Sequence, residues 1–149
     1  MKVIGYDPYI SDSRFDEIDV IIESYEELLR QSDYISLHAP LNEETRGMID
    51  VDAISKMKDG VRIICAARGG LIDENALLQN LESGKIAGAA LDVFEHEPPG
   101  ASKLISHPNI VVTPHIGAQT VEAQDRAGID VANEVVAALK GESLRWRIV

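Results

Sequence analysis

The sequence predicts an α/β fold built on an open, doubly wound parallel sheet. Three observations carry that expectation. Short runs of aliphatic and β-branched residues recur along the chain, segments of helical pattern lie between them, and turn or cap residues mark most junctions. Runs without polar alternation are the habit of strands buried on both faces, hence of parallel sheets. Helices between successive strands supply the right-handed crossovers that parallel pairing requires.

The elements follow in order. Lys2 to Tyr6 reads as a short strand closed by the turn-prone pair Asp7-Pro8. Ser24 to Arg30 reads as a helix, with Ser24 as N-cap and Glu27 completing a capping box. Tyr34 to His38 is a strand stopped by Pro40, and Asp52 to Met57 is a short helix ended at Gly60. Arg62 to Ala66 is the next strand. Asp73 to Glu82 is a helix with Asp73 at its start and Gly84 just after it. Ala87 to Phe94 and Ile110 to Thr113 are the remaining strands, and residues 120 to 140 form a long helix stopped by Gly141. Repeats, low-complexity tracts and linker-like stretches are absent from the sequence.

With 149 residues, 45% hydrophobic and 26% charged, the chain has the composition of one soluble globular domain with a sizeable core. A formal net charge of −11 argues against nucleic acid or an anionic membrane as the main partner, but leaves room for a small anionic ligand in a locally basic cleft. The single cysteine, Cys65, excludes an intramolecular disulfide and points to a reducing compartment. No leader-like start and no apolar run of bilayer length is visible, so a cytoplasmic location is expected. The histidines and Cys65 show no metal-ligand spacing.

In doubly wound sheets, ligands bind beyond the carboxyl ends of the strands. Polar residues collect there. Asp7 ends the first strand, His38 the second and Arg68 the third, Asp92 and Glu97 lie at or beyond the end of the fourth, and His115 follows the fifth. A guanidinium at the end of a buried run is costly to desolvate unless an anion meets it, either a structural carboxylate or a ligand. Gly69 and Gly70 beside Arg68 allow close approach to backbone, and the guanidinium fork suits a carboxylate. His115 has the pKa range for proton transfer, and an acid such as Glu97 beside it would fix one tautomer and favour the imidazolium. An arginine, an acid and a histidine at one rim suit the oxidation of a hydroxy acid. Taken singly, Arg68 is equally a strand-end pairing residue, Glu97 a solvated acid and His115 a loop histidine; His38 and His107 read as structural. Asp7 is placed to accept hydrogen bonds from both ribose hydroxyls of a dinucleotide, or is simply a turn residue. Pro8 and Tyr9 offer no cation for a 2′-phosphate, which favours NAD over NADP.

The ordered blocks YDP (6–8), LHAPL (37–41), ARGGLIDE (67–74), AGAALDVFEHEPP (87–99) and TPHIGAQT (113–120) resemble the D-2-hydroxyacid dehydrogenase family. The stretch PHIGAQTVEAQ (114–124) is most similar to the branch acting on 3-phosphoglycerate, although lactate, glyoxylate and hydroxypyruvate enzymes share most blocks. The resemblance implies a Rossmann-type fold, NAD as cofactor and hydride transfer between NAD and a 2-hydroxy or 2-oxo acid. It implies that Arg68 binds the substrate carboxylate and polarises the carbonyl, that His115 exchanges a proton with the C2 oxygen, and that Glu97 is the partner of His115. It also implies that Asp7 holds the ribose, that Asp92 lies near the nicotinamide carboxamide, and that Ala39, Ala66, Ala67, Gly117 and Ala118 line the cofactor through their backbone. Cys65 then reads as core beside the site.

The departure from the family is large. Its members are about twice this length, with a Gly-x-Gly-x-x-Gly turn about 20 residues before the ribose acid. Here six residues precede Asp7, and that motif occurs nowhere. The expectation is therefore an incomplete fold lacking its first strand and Gly-rich turn, with residues 1–141 a partial NAD-binding domain, 142–149 a C-terminal return segment, and the substrate domain absent. In the order 3-2-1-4-5-6 the lacking strand is the central one, so unpaired edges and association, most simply as a homodimer, are expected. The alternative reading is a non-catalytic dinucleotide-binding or interaction module.

Overall fold

The computed structural model describes residues 1–10 and 20–147. It divides into two compact units, Met1–Pro114 and His115–Val149. In the first, β1 is Ile4–Gly5, β2 Ile21–Ile22, α1 Tyr25–Gln31, β3 Tyr34–Leu37, α2 Val51–Lys56, β4 Val61–Cys65, α3 Glu74–Glu82, β5 Ile86–Leu91 and β6 Ile110–Val112; the second contains α4, Val121–Lys140.

Caps set the helix starts. The side chains of Ser24, Asp50, Asp73 and Thr120 each accept amide N–H bonds from the first turn they precede, satisfying donors that have no intrahelical partner. Gly141, at φ 71°, closes α4 in the left-handed conformation that glycine adopts without Cβ strain. Strand bounds fall within a few residues of the expected ones. The first strand is shorter than predicted, and β2 was not anticipated at all, although Val20-Ile21-Ile22 is a β-branched run. Expected strand residues Val93 and Phe94 lie beyond β5, because its ladder with the three-residue β6 ends at Leu91 and Val112.

Every ladder is parallel. A four-stranded sheet has the order β3-β4-β5-β6, and β1 pairs with β2 in a separate two-stranded sheet. The two-stranded piece matches the 3-2 side of the order 3-2-1-4-5-6, and the four-stranded piece matches its 4-5-6 side extended by one further parallel strand, β6. Among the described residues, β1 and β3 each have one edge without a strand partner.

Register gives the sheet a packed face. Ile35, Ile63 and Ala89 are laterally aligned, as are Leu37, Cys65 and Leu91, and all are buried with Leu29 of α1, Ala53 and Ile54 of α2, and Ala76, Leu77 and Leu81 of α3. Fully burying one such aliphatic side chain contributes about 1.5–3 kcal/mol. The intervening residues differ from expectation. Tyr34, Ser36 and Arg62 are exposed and Ile64 half-buried, so β3 and β4 alternate instead of being buried on both faces. The helices of this unit, α1 to α3, all contribute to the core on the other face. In the second unit, Glu134 of α4 accepts the amide N–H groups of Arg145 and Trp146 at 3.1 and 3.3 Å, folding the following segment back on the helix. Of the segment 142–149, residues 148 and 149 lie outside the described residues. No described helix is long and apolar enough to cross a membrane.

Candidate active-site residues at the strand ends

Parallel pairing delivers the carboxyl ends of β3, β4 and β5 to one rim. Beyond β4, Asp92 donates its amide N–H to the carbonyl of Cys65 at 2.9 Å, so the chain leaving β5 remains tied to the end of β4. Asp92 itself is buried, and one oxygen of its carboxylate accepts the Thr113 hydroxyl proton. Thr113 in turn donates its amide to the Leu91 carbonyl at 3.0 Å. The acid at the end of β5 is thus fixed by the chain leaving β6.

Arg68 lies beyond the ladder and is exposed; its guanidinium donates to the Ala67 carbonyl at 2.6 Å. The desolvation cost expected for a buried strand-end arginine therefore does not arise: Ala66, between β4 and Arg68, is already exposed. Gly69 packs so closely that a Cβ there would lie 1.8 Å from the Phe94 carbonyl oxygen, and the carbonyl of Gly70, at φ 84°, accepts the Gly47 amide N–H at 2.8 Å. Arg68, Gly69, Gly70 and Glu74 share one shallow pocket with Cys65 and Leu91. Cys65 is buried core, with its thiol 3.7 Å from the Arg68 carbonyl.

Glu97 is exposed, and its carboxylate accepts the Phe94 amide N–H at 3.0 Å. The two loops that carry Arg68 and Glu97 are brought together by the Gly69–Phe94 contact. His115 opens the second unit, exposed and at φ 54°. Left-handed backbone at a non-glycine residue costs about 1–2 kcal/mol and is enriched at functional positions. Gly117 and Ala118 follow it in the same turn, where Gln119 donates its amide to the Ile116 carbonyl at 2.9 Å.

At the other sheet, Asp7 is half-buried just past β1, and one carboxylate oxygen accepts the Tyr9 amide at 2.8 Å. The Tyr9 hydroxyl donates to Glu44 at 2.7 Å, and that bond together with the carboxylate charge raises the Tyr9 pKa. Ala39 is half-buried after β3; His38, exposed, shares a 2.9 Å hydrogen bond with Ser36, and His107 accepts the Asn109 amide at 3.2 Å. Sequence reasoning singled out neither Thr113 nor Glu74 nor Glu44. Their roles are contacts across the fold, which no local spacing reveals.

Residues 1–117 match the family described as D-isomer specific 2-hydroxyacid dehydrogenase, NAD binding domain. The chain belongs to the D-2-hydroxyacid dehydrogenase family. It is 48% identical to D-3-phosphoglycerate dehydrogenase of Bacillus subtilis over 141 residues, covering 95% of this chain and 27% of that one. A D-lactate dehydrogenase from Treponema pallidum matches with a TM-score of 0.91 at 36% identity, over 99% of this chain and 48% of the other. The D-lactate dehydrogenase of Aquifex aeolicus, solved with NAD and lactic acid, matches with a TM-score of 0.85 at 35% identity, over 95% and 47%. The chain thus spans about a quarter of that curated relative and about half of these solved D-2-hydroxyacid dehydrogenases.

The donor set fits the family's cofactor in part. Asp7 is an acceptor-only carboxylate at a strand end, suited to vicinal hydroxyls, and Asp92 is a buried acid held by Thr113. The Gly-rich turn that would cradle a pyrophosphate is not in the sequence.

Proposed function

We propose that this chain supplies the cofactor-side share of the active site of an NAD-dependent D-2-hydroxyacid dehydrogenase, acting on 3-phosphoglycerate. The observation that carries the reading is an exposed guanidinium, Arg68, standing on a glycine-packed loop directly against the segment that bears Glu97. Arg68 presents two parallel N–H donors to the substrate carboxylate and draws electron density from the adjacent carbonyl. His115 gives a proton to the C2 oxygen in reduction and takes it back in oxidation. Glu97 holds the imidazole in one tautomer and favours its protonated form. Asp7 accepts both ribose hydroxyls, and Asp92 with the backbone of Ala39, Ala66, Ala67, Gly117 and Ala118 lines the cofactor. NAD, when bound, accepts or returns the hydride. Support for the 3-phosphoglycerate branch comes from the PHIGAQTVEAQ stretch and from the 48% identity to the Bacillus subtilis enzyme.

Residues 1–141 are the partial NAD-binding domain in this reading, 142–149 the return segment, and the protein works in the cytoplasm as a homodimer. Among the described residues β1 and β3 each have an edge without a strand partner, which favours association. Lack of the Gly-rich turn favours a second reading for the chain by itself: a non-catalytic binding module that takes NAD weakly or not at all.

A single assay series tests these statements. NADH oxidation is followed with 3-phosphohydroxypyruvate, pyruvate and glyoxylate, for the chain alone and for the chain joined to the N-terminal part of the Bacillus subtilis relative. We expect no turnover from the first and preference for 3-phosphohydroxypyruvate in the second. There His115→Ala should cost about 10²–10⁴-fold in turnover, and Asp7→Ala should narrow the preference for NADH over NADPH. Equal turnover in His115→Ala would remove the histidine from the chemistry, and an unchanged cofactor ratio would return Asp7 to a turn residue.

A further inference from the structure

The peptide group joining Phe94 to Glu95 is held at both ends. Its carbonyl oxygen lies against Gly69, where a Cβ would come within 1.8 Å. Its N–H donates to Oε1 of Glu74 at 2.7 Å, across 21 residues of sequence. Glu74 is the first residue of α3, half-buried, at the helix end where exposed amide dipoles favour a carboxylate. A planar peptide fixed at its carbonyl and its N–H has its orientation determined.

The neighbouring peptide depends on that orientation. The Phe94 amide N–H donates to Oε1 of Glu97 at 3.0 Å, and Phe94 is 7% exposed, packed into the core. The two peptide planes meet at the Phe94 Cα, which the buried side chain anchors, so a shift of the gripped peptide reaches the Phe94 N–H through that shared atom. The exposed Arg46–Glu95 ion pair, at 4.0 Å, adds little to this hold.

We propose that Glu74 is a positioning residue: by gripping the Phe94–Glu95 peptide against Gly69, it aims the Phe94 N–H and so sets the carboxylate of Glu97. The proposal deepens the reading of Glu97 as the partner of His115 and rests on it for its catalytic consequence. The carboxylate suits the task because a charge-assisted bond to an amide is stronger than a neutral one. The tie also links the helix after the Arg68 loop to the loop of Glu97, so arginine and acid keep a common frame.

Amide hydrogen exchange and carboxyl titration by NMR on the full chain test this. In Glu74→Ala, both the Glu95 and the Phe94 amides should exchange about tenfold faster, the equivalent of one hydrogen bond, and the Glu97 carboxyl pKa should move. Glu74→Gln keeps an acceptor oxygen and should hold both amides within about threefold of the wild type. Glu74→Asp keeps the charge at the helix start but withdraws the acceptor by one methylene, and should behave like Glu74→Ala; it serves if the alanine variant does not fold. Loss of protection at Glu95 alone, with the Phe94 amide and the Glu97 titration unchanged, overturns the proposal. So does equal loosening in Glu74→Gln and Glu74→Ala. Failure of the catalytic reading shows separately: Glu97→Gln in the completed enzyme would then leave the pH–rate profile unaltered while the exchange pattern stands.

Discussion

Replacing Gly69 by alanine adds one methyl group, and its cost can be worked from the contacts. The new Cβ would fall 1.8 Å from the Phe94 oxygen, 2.2 Å from its carbonyl carbon and 2.8 Å from the Glu95 nitrogen. All three are backbone atoms, so no side chain can swing aside. Reaching ordinary contact at 3.4 Å requires the two segments to part by about 1.6 Å. Overpacking of this kind costs about 1–3 kcal/mol. Parting the segments also strains the Glu95–Glu74 hydrogen bond that spans them, worth about 1 kcal/mol. The sum, about 2–4 kcal/mol, is a large fraction of the ~5–15 kcal/mol that holds a domain together. Urea unfolding followed by circular dichroism should show that loss as a lower midpoint at unchanged slope. A variant within about 0.5 kcal/mol of the wild type, with unshifted Phe94 and Glu95 amide resonances, would refute the close packing.

Further outcomes concern charge, backbone and pH. Arg68→Lys in the completed enzyme should lose both binding and turnover of 2-oxo acids, since an ammonium cannot reproduce the fork; near wild-type kinetics would leave Arg68 a strand-end residue. Gly128→Ala, in the interior of α4 with nothing within 4 Å of the new methyl, should raise helix stability by about 0.5–1 kcal/mol, read from the helical circular-dichroism signal on heating; an unchanged or lower signal would contradict it. The Tyr25 hydroxyl, which donates to the Met48 carbonyl, has its pKa pushed up to about 12 by burial and then by the Asp50 charge. A raised folded-state pKa means that its contribution is complete below the ordinary value near 10 and is lost as pH climbs toward 12. Solvent screening of a half-buried group keeps that loss to about 1 kcal/mol, and Tyr25→Phe should flatten stability against pH across that window.

Much of this architecture was legible because local chemistry and global fold agree. Ser24 and Asp73 announce helices that form where predicted, and Gly141 ends the last one. Arg68 and Asp92 were legible as neighbours because parallel pairing carries the carboxyl ends of β4 and β5 to one rim. Two things were not. β2 is two residues long, and its pairing with β1 is a contact between distant segments that a run of Val20-Ile21-Ile22 does not declare. One-sided burial of β3 and β4 also escaped, since Arg62 and Tyr34 were read through the apolar runs around them; their cation–π contact, at 5.4 Å, lies on the exposed face. Within the candidate site, residue types were readable and partners were not. Glu74 belongs to the ARGGLIDE block, but only folding shows that its carboxylate reaches the Glu95 amide.

The exposure of Arg68 changes how its cost is distributed. A guanidinium buried in the folded chain would need a permanent structural carboxylate, which would compete with any incoming one. Here the group is exposed, with a short bond to its neighbour's carbonyl, so folding bears little desolvation penalty for it. Under the proposed function that penalty would fall only on a ligand that covers the rim, and a carboxylate would bring the charge that compensates it. A neutral ligand of the same shape would leave the fork dry and unpaired, a cost of several kcal/mol. In the proposed role of Arg68, discrimination for acids would come from the penalty imposed on everything else, with the glycine packing at 69 holding the loop's position while the exposed arginine bends toward its ligand.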